Sequence, residues 1–388
     1  MPRVTPLFVL VLAAMSAFGP LSTDMYLPAF PAIAAGLGTD ATHVQTTLAS
    51  FFAGMSLAQL AFGPLTDRFG RRLPLLAGLG IFVLGSIGCG LTGEVGWLAV
   101  WRFIQGLGGC AGMVTARAIV RDVTEGTETI RLMSRLMLVV TLAPILAPSL
   151  GGVLLGWGGW RAIFWALVAY GLALALVVGL VLPETLPPER RRREGLAGVL
   201  MVYARMLGTR RFMGLVLSGV LPMGGLFAYI TGSPFVFMEL HGIAPGQYGL
   251  LFGANALGIM GVSQLNAMLS QRHPPERVLL WGLCAMAGAG VAMAALSGTG
   301  SFWGIAIPLF VYVASIGMVM PIAAALAMAS QGRAAGSASA LIGTLQFGGG
   351  ALTGALVGAL YNGTAVPMAV VMALAALAGL ASRLVLVR

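Results

Sequence analysis

Apolar runs of 18 or more residues recur along the whole chain, separated by short segments rich in Gly, Pro, Arg and other polar residues. Each run is long enough to cross a hydrocarbon core of ~30 Å as a helix. Hydropathy and breakers together predict helices near 6–34, 43–65, 74–92, 97–120, 132–156 and 160–182, then near 212–238, 247–270, 277–297, 302–328, 336–359 and 364–384. The pattern is that of an all-α membrane protein with twelve transmembrane helices in two groups of six. The small residues of AAMSA after Arg3 give the first run the look of a cleaved signal peptide. The run continues past them, which favours a retained first helix.

Between the groups lies PETLPPERRRREG, residues 183–195, the most charged and proline-rich stretch. It reads as a solvated linker. The expected organisation is a six-helix bundle over 1–185, a linker over 186–209 with a short amphipathic helix around 196–208, and a second bundle over 210–388.

Composition agrees with the spans. Of 388 residues 58% are hydrophobic and 9% charged, against about 25% charged in an ordinary soluble domain. The net charge of +10 acquires meaning only from its positions. With both termini inside, the inner loops receive Arg68, Arg71, Arg72, Arg121, Arg131, Arg135, Arg190, Arg191, Arg192, Arg193, Arg205, Arg210, Arg211, Arg272, Arg277 and Arg333, whereas the outer loops receive only Arg161. The positive-inside rule then gives an N-in, C-in orientation. Charge spread over one membrane face also argues against nucleic acid as a partner. All 22 basic residues are arginine, a compositional bias that carries no function. Cys89, Cys110 and Cys284 lie in apolar segments and read as packing residues.

A faint repeat links the halves. QLAFGPLTDRFGRRLPLLAGL, from Gln59, aligns with QLNAMLSQRHPPERVLLWGL, from Gln264, so that Arg72 matches Arg277. Duplicated halves with a site between them are a recurrent transporter plan.

GPLTDRFGRR, Gly63 to Arg72, resembles the inner-loop signature of the major facilitator superfamily. Gly63 and Gly70 permit close or left-handed backbone, Asp67 can face a helix N-terminus, and Arg68, Arg71 and Arg72 anchor the loop at the surface. WRFIQGLGG from Trp101 resembles the fourth-helix signature of the same superfamily. APILAPSLGG from Ala143 resembles the fifth-helix signature of exporters, with alanine at Ala143 and Ala147 where glycine is preferred. With STDMYLP, ARAIVRD and SPFVF, these segments look like the bicyclomycin/chloramphenicol-resistance branch of drug:proton antiporters. The resemblance implies the major facilitator fold, two pseudo-symmetric six-helix bundles. It further implies proton-driven efflux of small molecules across a bacterial inner membrane by a monomer without cofactor or metal, and a network of Asp67, Arg72, Arg121 and Asp122 closing the inner side.

An ionisable residue within a span costs several kcal/mol unless it is paired or hydrated. Away from the inner helix ends there are two, Asp24 and Arg102. Counting ~1.5 Å per residue, both fall roughly 6 to 10 Å below the outer boundary on antiparallel helices. They are therefore expected to meet across the cavity, Asp24 as proton and cation site and Arg102 as its electrostatic modulator. The plainer expectation is that Asp24 bonds backbone freed by Gly19, Pro20 and Pro28 and shapes a broken helix.

Arg117 reads equally well as a snorkelling arginine, and Glu239 and His241 as loop residues beyond the seventh helix. Pro144, Pro148, Gly151 and Gly152 are expected to weaken the fifth helix, serving either as a pivot or as close packing. Tyr26, Tyr229, Phe235 and Phe237 offer aromatic surface for a pocket, with Asn255 as a polar contact.

Other function classes fit less well. The histidines His43, His241 and His273 fall at span ends or in loops on different sides, with no metal-ligand spacing and no phosphate-binding glycine loop, as a membrane enzyme would require. A channel needs a continuous polar lining, for which two mid-span charges are few. Import of a nutrient is the nearest rival to export, and the fifth-helix signature leans toward export.

Overall fold

The computed structural model describes residues 5–124, 126–191, 196–331 and 335–387. Arg192, Arg193 and Arg333 of the charge pattern lie outside them. Among the described residues ten helical segments are long and apolar enough to cross a membrane. One of them, Leu142–Val181, has 40 residues and contains a break at Gly158 and Gly159, where Gly159 takes φ +69°. It is therefore two spans. The twelfth is α9 (Pro245–Leu269), 25 residues or about 37 Å of helix, packed between α6 (Gly126–Val181) and α11 (Phe302–Ala329).

The first span is not one helix. α1 (Pro6–Asp24) ends at Asp24 itself, a 3₁₀ turn covers Leu27–Ala29, and α2 (Phe30–Leu37) completes the crossing. Proline explains the position of the break. Pro28 and Pro31 have no N–H to donate to the carbonyls of Asp24 and Leu27, so the α-helical ladder stops four residues before each. The sequence pattern placed the break at the prolines, and the ladder fails one turn earlier. The fifth span departs from expectation in the other direction, since its backbone runs helically through Pro144 and Pro148.

The remaining spans follow the pattern closely. They are α3 (Ala41–Phe69), α4 (Arg72–Leu91), α5 (Val95–Val123), α8 (Arg210–Pro234) with a π-helical extension over Phe235–Leu240, α10 (Pro275–Leu296), α12 (Ala335–Ala359) and α13 (Val366–Leu386). α7 (Leu196–Leu207) is the amphipathic linker helix, its Tyr203 and Met206 buried against Phe212 and Leu341. Cys284 is exposed, unlike the buried Cys89 and Cys110, and so is not the packing residue expected. Arg72 and Arg277 both lie in the first turn of the third helix of their half, as the repeat implied.

Small residues let the helices of the first half cross with their backbones nearly touching. A Cβ on Gly54 would strike the carbonyl of Phe103, and one on Gly106 the carbonyl of Phe51, so α3 and α5 are locked together at this crossing. Gly108 brings α5 equally close to Phe82 of α4. The glycines of the RFIQGLGG stretch are thus the contact surface of the fourth span.

The two halves meet along α3 against α12 and α6 against α9. Ser56 donates to the Thr344 carbonyl at 2.8 Å, and Phe52 sets its ring against Phe227 at 4.5 Å. Gly343 lies against Gln59 nearer the arginine-rich face, and further contacts follow toward the arginine-poor one. Phe30 packs on Phe235 at 5.8 Å, Gly249 lies against Ser149, and Gly358 lies against Thr42 and Gln45. Gly63, near the arginine-rich end of α3, faces open space.

Replacing Gly106 with Leu is expected to cost about 1–3 kcal/mol or more, because the side chain has only backbone to displace. Thermal unfolding in detergent should show the loss, while Gly63→Ala should unfold like the wild type.

Candidate functional site

Asp24 closes α1 and is buried, 4% exposed, the only buried carboxylate among the described residues. No hydrogen bond or ion pair reaches it from any described residue. Its neighbours do not supply one, since Ser22 and Thr23 turn their hydroxyls back to the carbonyls of Phe18 (2.6 Å) and Gly19 (3.0 Å). The expectation that Asp24 ties up freed backbone therefore fails. Gly151 of α6 presses on the Met25 carbonyl, where a Cβ would not fit.

Across the junction, Asp24 lies within electrostatic reach of the phenols of Tyr229 on α8 and Tyr248 on α9. Asn255 donates to the Tyr229 hydroxyl at 3.0 Å, Tyr248 and Ser233 share a hydrogen bond of 2.7 Å, and Phe252 stacks on Tyr229 at 5.5 Å. The carboxyl group of the first half thus faces a polar, aromatic wall of the second.

Arg102 does not pair with Asp24. Its guanidinium is fully buried and sits over the rings of Phe51 (4.2 Å) and Tyr26 (4.4 Å), with Phe164 at 6.0 Å. Desolvated cation–π contacts of this kind are worth about 2 kcal/mol each, and they take the place of a counter-charge. Nη1 donates to the Ser22 carbonyl at 3.2 Å and to Gln105 Oε1 at 2.5 Å, and Gln105 passes the bond to Ser86 at 2.7 Å. The depth count was sound, because Arg102 touches residues on both sides of Asp24. The direction of the side chain was not readable from depth. Tyr26, expected to line a pocket, is instead buried under this arginine with its hydroxyl on Thr47 at 2.7 Å.

The arginine-rich face carries a second constellation. Arg71 bonds Asp67 at 2.5 Å, Asp122 at 2.7 and 3.2 Å, and Thr66 at 3.2 Å. It therefore takes the part expected of Arg72, which instead donates to the Gly179 carbonyl at the end of the sixth span. Arg121 is exposed and makes none of these bonds, and Arg68 lies over Phe69 at 5.4 Å.

Glu184, just past the sixth span, accepts from the backbone N–H of Arg71 (2.8 Å), Arg72 (3.2 Å) and Leu186 (3.0 Å), and so caps α4. Burial alone would raise its carboxyl, but these N–H groups and Arg191 outweigh it and hold the carboxyl below its ordinary value of 4.5. Gly70 makes the cap possible. It sits at φ +91°, and a Cβ there would displace the Glu184 carboxylate. Thr185 adds a bond to Asp122 at 3.1 Å.

Of the other expected site residues, Phe235 belongs to the closure between halves, with Phe30 and with Tyr361 at 5.9 Å. Phe237 packs away from Asp24 on Phe302 (5.8 Å) and His241 (6.3 Å). Glu239 is exposed. Pro144 precedes and Pro148 lies within the stretch of α6 that touches α9, where Ile145 meets Gly253, Ser149 meets Gly249, and Gly152 lies beside Pro245 and Gly246. Sequence reasoning missed Tyr248, Glu184, and the aromatic cluster of Phe52, Phe227 and Phe347. Only Glu184 had a readable signal, an acid directly after the sixth span opposite an arginine-rich loop.

The family model described as Major Facilitator Superfamily matches residues 10–354. The chain is 38% identical over 372 residues to the uncharacterized MFS-type transporter YdgK of Bacillus subtilis (strain 168), covering 95% of this chain and 92% of that one. It is 32% identical over 368 residues to the bicyclomycin resistance protein homolog of Haemophilus influenzae, covering 94% and 92%. A D-xylose-proton symporter structure superposes with a TM-score of 0.73 over 96% of this chain and 97% of that one, at 16% identity, a likeness of fold alone.

Removing Arg71 should destabilise the arginine-rich face far more than removing Arg121. Arg71→Gln is expected to lose about 1.5–3 kcal/mol for the charged hydrogen bonds, and Arg121→Gln almost nothing, in detergent unfolding curves. The depressed Glu184 carboxyl contributes stability above its unfolded value, and this is lost as pH falls through the folded one. Glu184→Gln should flatten the acid limb of stability against pH below about 4.5, the ordinary carboxylate value.

Proposed function

We propose that this chain, which belongs to the major facilitator superfamily, exports small drug-like molecules from the cell in exchange for protons. It is a multi-pass bacterial membrane transporter, and the observation that carries the finer reading is Asp24. A buried carboxyl group without a counter-charge, set between the halves, suits a site that holds a proton in one part of the cycle and yields it in another. Import or export of a particular metabolite by the same fold is the nearest alternative.

In this reading 1–185 and 210–388 rock against each other, joined by the linker 186–209, with both termini and the arginine-rich face in the cytoplasm of the inner membrane. The contacts of Phe30 with Phe235 and of Ser149 with Gly249 close the outer side. Opening that side would separate Asp24 from Tyr229, Tyr248 and Asn255, so that the carboxyl group meets water in one state and the second half in the other. Arg102 acts on Asp24 through the chain, bonding Ser22 two residues before it and stacking on Tyr26 two residues after. The Arg71, Asp67 and Asp122 network holds the first half's inner end rigid during the motion, and the stretch from Pro144 to Gly152 is where α6 moves against α9. The name of the Haemophilus relative supports drug efflux of the bicyclomycin type. A monomer suffices for this cycle.

Everted membrane vesicles with an imposed proton gradient and a panel of neutral, cationic and anionic compounds test the reading. Wild-type vesicles should accumulate one or more of them. Asp24→Asn should lose about tenfold or more of gradient-driven uptake, at least about 1.4 kcal/mol, yet still exchange compound down its own gradient. Undiminished gradient-driven uptake by Asp24→Asn would reject the coupling role.

A further inference from the structure

Gln45 lies near the start of α3, at the arginine-poor end of the contact between the halves. It is fully buried, yet neither its Nε2 nor its Oε1 has a hydrogen-bond partner among the described residues. What covers it belongs to the other half. A Cβ on Gly358 of α12 would stand 3.4 Å from the Gln45 Cβ and Oε1, and 3.3 Å from the Thr42 carbonyl. One helical turn further in, Thr231 of α8 repeats the situation. Its hydroxyl is buried without a partner among the described residues, and a Cβ on Gly354 would meet it at 3.0 Å and Ala49 of α3 at 3.6 Å.

Gly354 and Gly358 stand four residues apart on one face of α12, as Gln45 and Ala49 do on α3. The two glycines let α12 close directly over the amide. Polar side chains further along α3 are paired: Ser56 donates to the Thr344 carbonyl at 2.8 Å, and Gln59 accepts from Cys110 Sγ at 3.5 Å. An amide that is hydrogen-bonded in water loses those bonds when backbone and apolar groups cover it. The cost corresponds to about fivefold or more in an equilibrium constant.

We propose that Gln45, seconded by Thr231, keeps the outer seam reversible: its covered amide opposes the closure of α12 on α3, and separation of the two helices relieves that cost by giving the amide water. This rests on the rocking of the two halves described above and adds what prevents the outer side from locking shut. Aromatic contacts such as Phe30 on Phe235 favour closure, and the amide acts against them. The balance leaves both states within reach of the cycle.

Double electron–electron resonance between spin labels on Glu94→Cys and Gly298→Cys, exposed loop sites of the two halves, tests this on the whole protein in nanodiscs, without gradient or cargo. Cys284→Ala removes the one exposed native thiol, since Cys89 and Cys110 are buried. This labelled parent should show a shorter, closed distance and a longer, open one. Gln45→Met, similar in length but apolar, should raise the closed-to-open ratio about tenfold, and Thr231→Val, which removes only the hydroxyl at nearly the same shape, about threefold. Gln45→Glu, whose carboxylate is costlier to bury, should lower the ratio, so the test does not hang on one variant or on one direction of change. Two distances whose ratio Gln45→Met leaves unchanged or lowers overturn this inference and leave the rocking reading standing. A single distance common to the parent and every variant overturns both.

Discussion

An ionised side chain in hydrocarbon costs several kcal/mol unless something answers its charge, and the first six spans answer theirs in different ways. Arg71 is answered by the two carboxylates of Asp67 and Asp122 at the end of the membrane. Arg102 is answered by rings and by the oxygens of Ser22 and Gln105. Arg71 is fully engaged, but Arg102 keeps its Nε and Nη2 buried without a hydrogen-bond partner among the described residues. Asp24 and Arg117 differ, because no described residue supplies their counter-charge. The one buried carboxyl group among the described residues, Asp24, is left without a partner where the halves meet.

Backbone approach is what makes this placement possible. Gly54, Gly106 and Gly108 bring α5 against α3 and α4, which buries Arg102 among Phe51, Tyr26 and Phe164. Gly151 brings α6 onto the Met25 carbonyl, so the broken first span is held on one side by the fifth helix and on the other by the residues of α8 and α9. A side chain at any of these glycines would push apart the elements that define the Asp24 site. The loop glycine, Gly70, serves a different end, since its left-handed backbone clears space for the Glu184 cap.

The spans were legible because their cause is local: twenty apolar residues make a crossing whatever surrounds them. Breakers were legible for the same reason, although Pro28 shifts the end of α1 to Asp24 rather than to itself. The loop signature was legible as a unit but not in its wiring. Asp67 and Arg71 stand four residues apart, a spacing that favours their pairing, yet the resemblance pointed to Arg72. Partners set by the direction a side chain takes around its helix were out of reach. Asp24 and Arg102 do lie at similar depth, but rotation about the axis sends Arg102 into aromatic rings, and no one-dimensional count contains that rotation. Tyr248 had no signal at all, being an ordinary aromatic residue near a span end until α9 packs it toward Asp24.

Under the proposed coupling, Asp24 gives up its proton when cargo is carried. Infrared difference spectra of the protein in nanodiscs, before and after adding a compound found to be transported, read that carboxyl group directly. The account predicts a protonated-carboxyl band that the compound diminishes and that is absent from Asp24→Asn. A band that persists in Asp24→Asn, or that the transported compound leaves unchanged in the wild type, would contradict it.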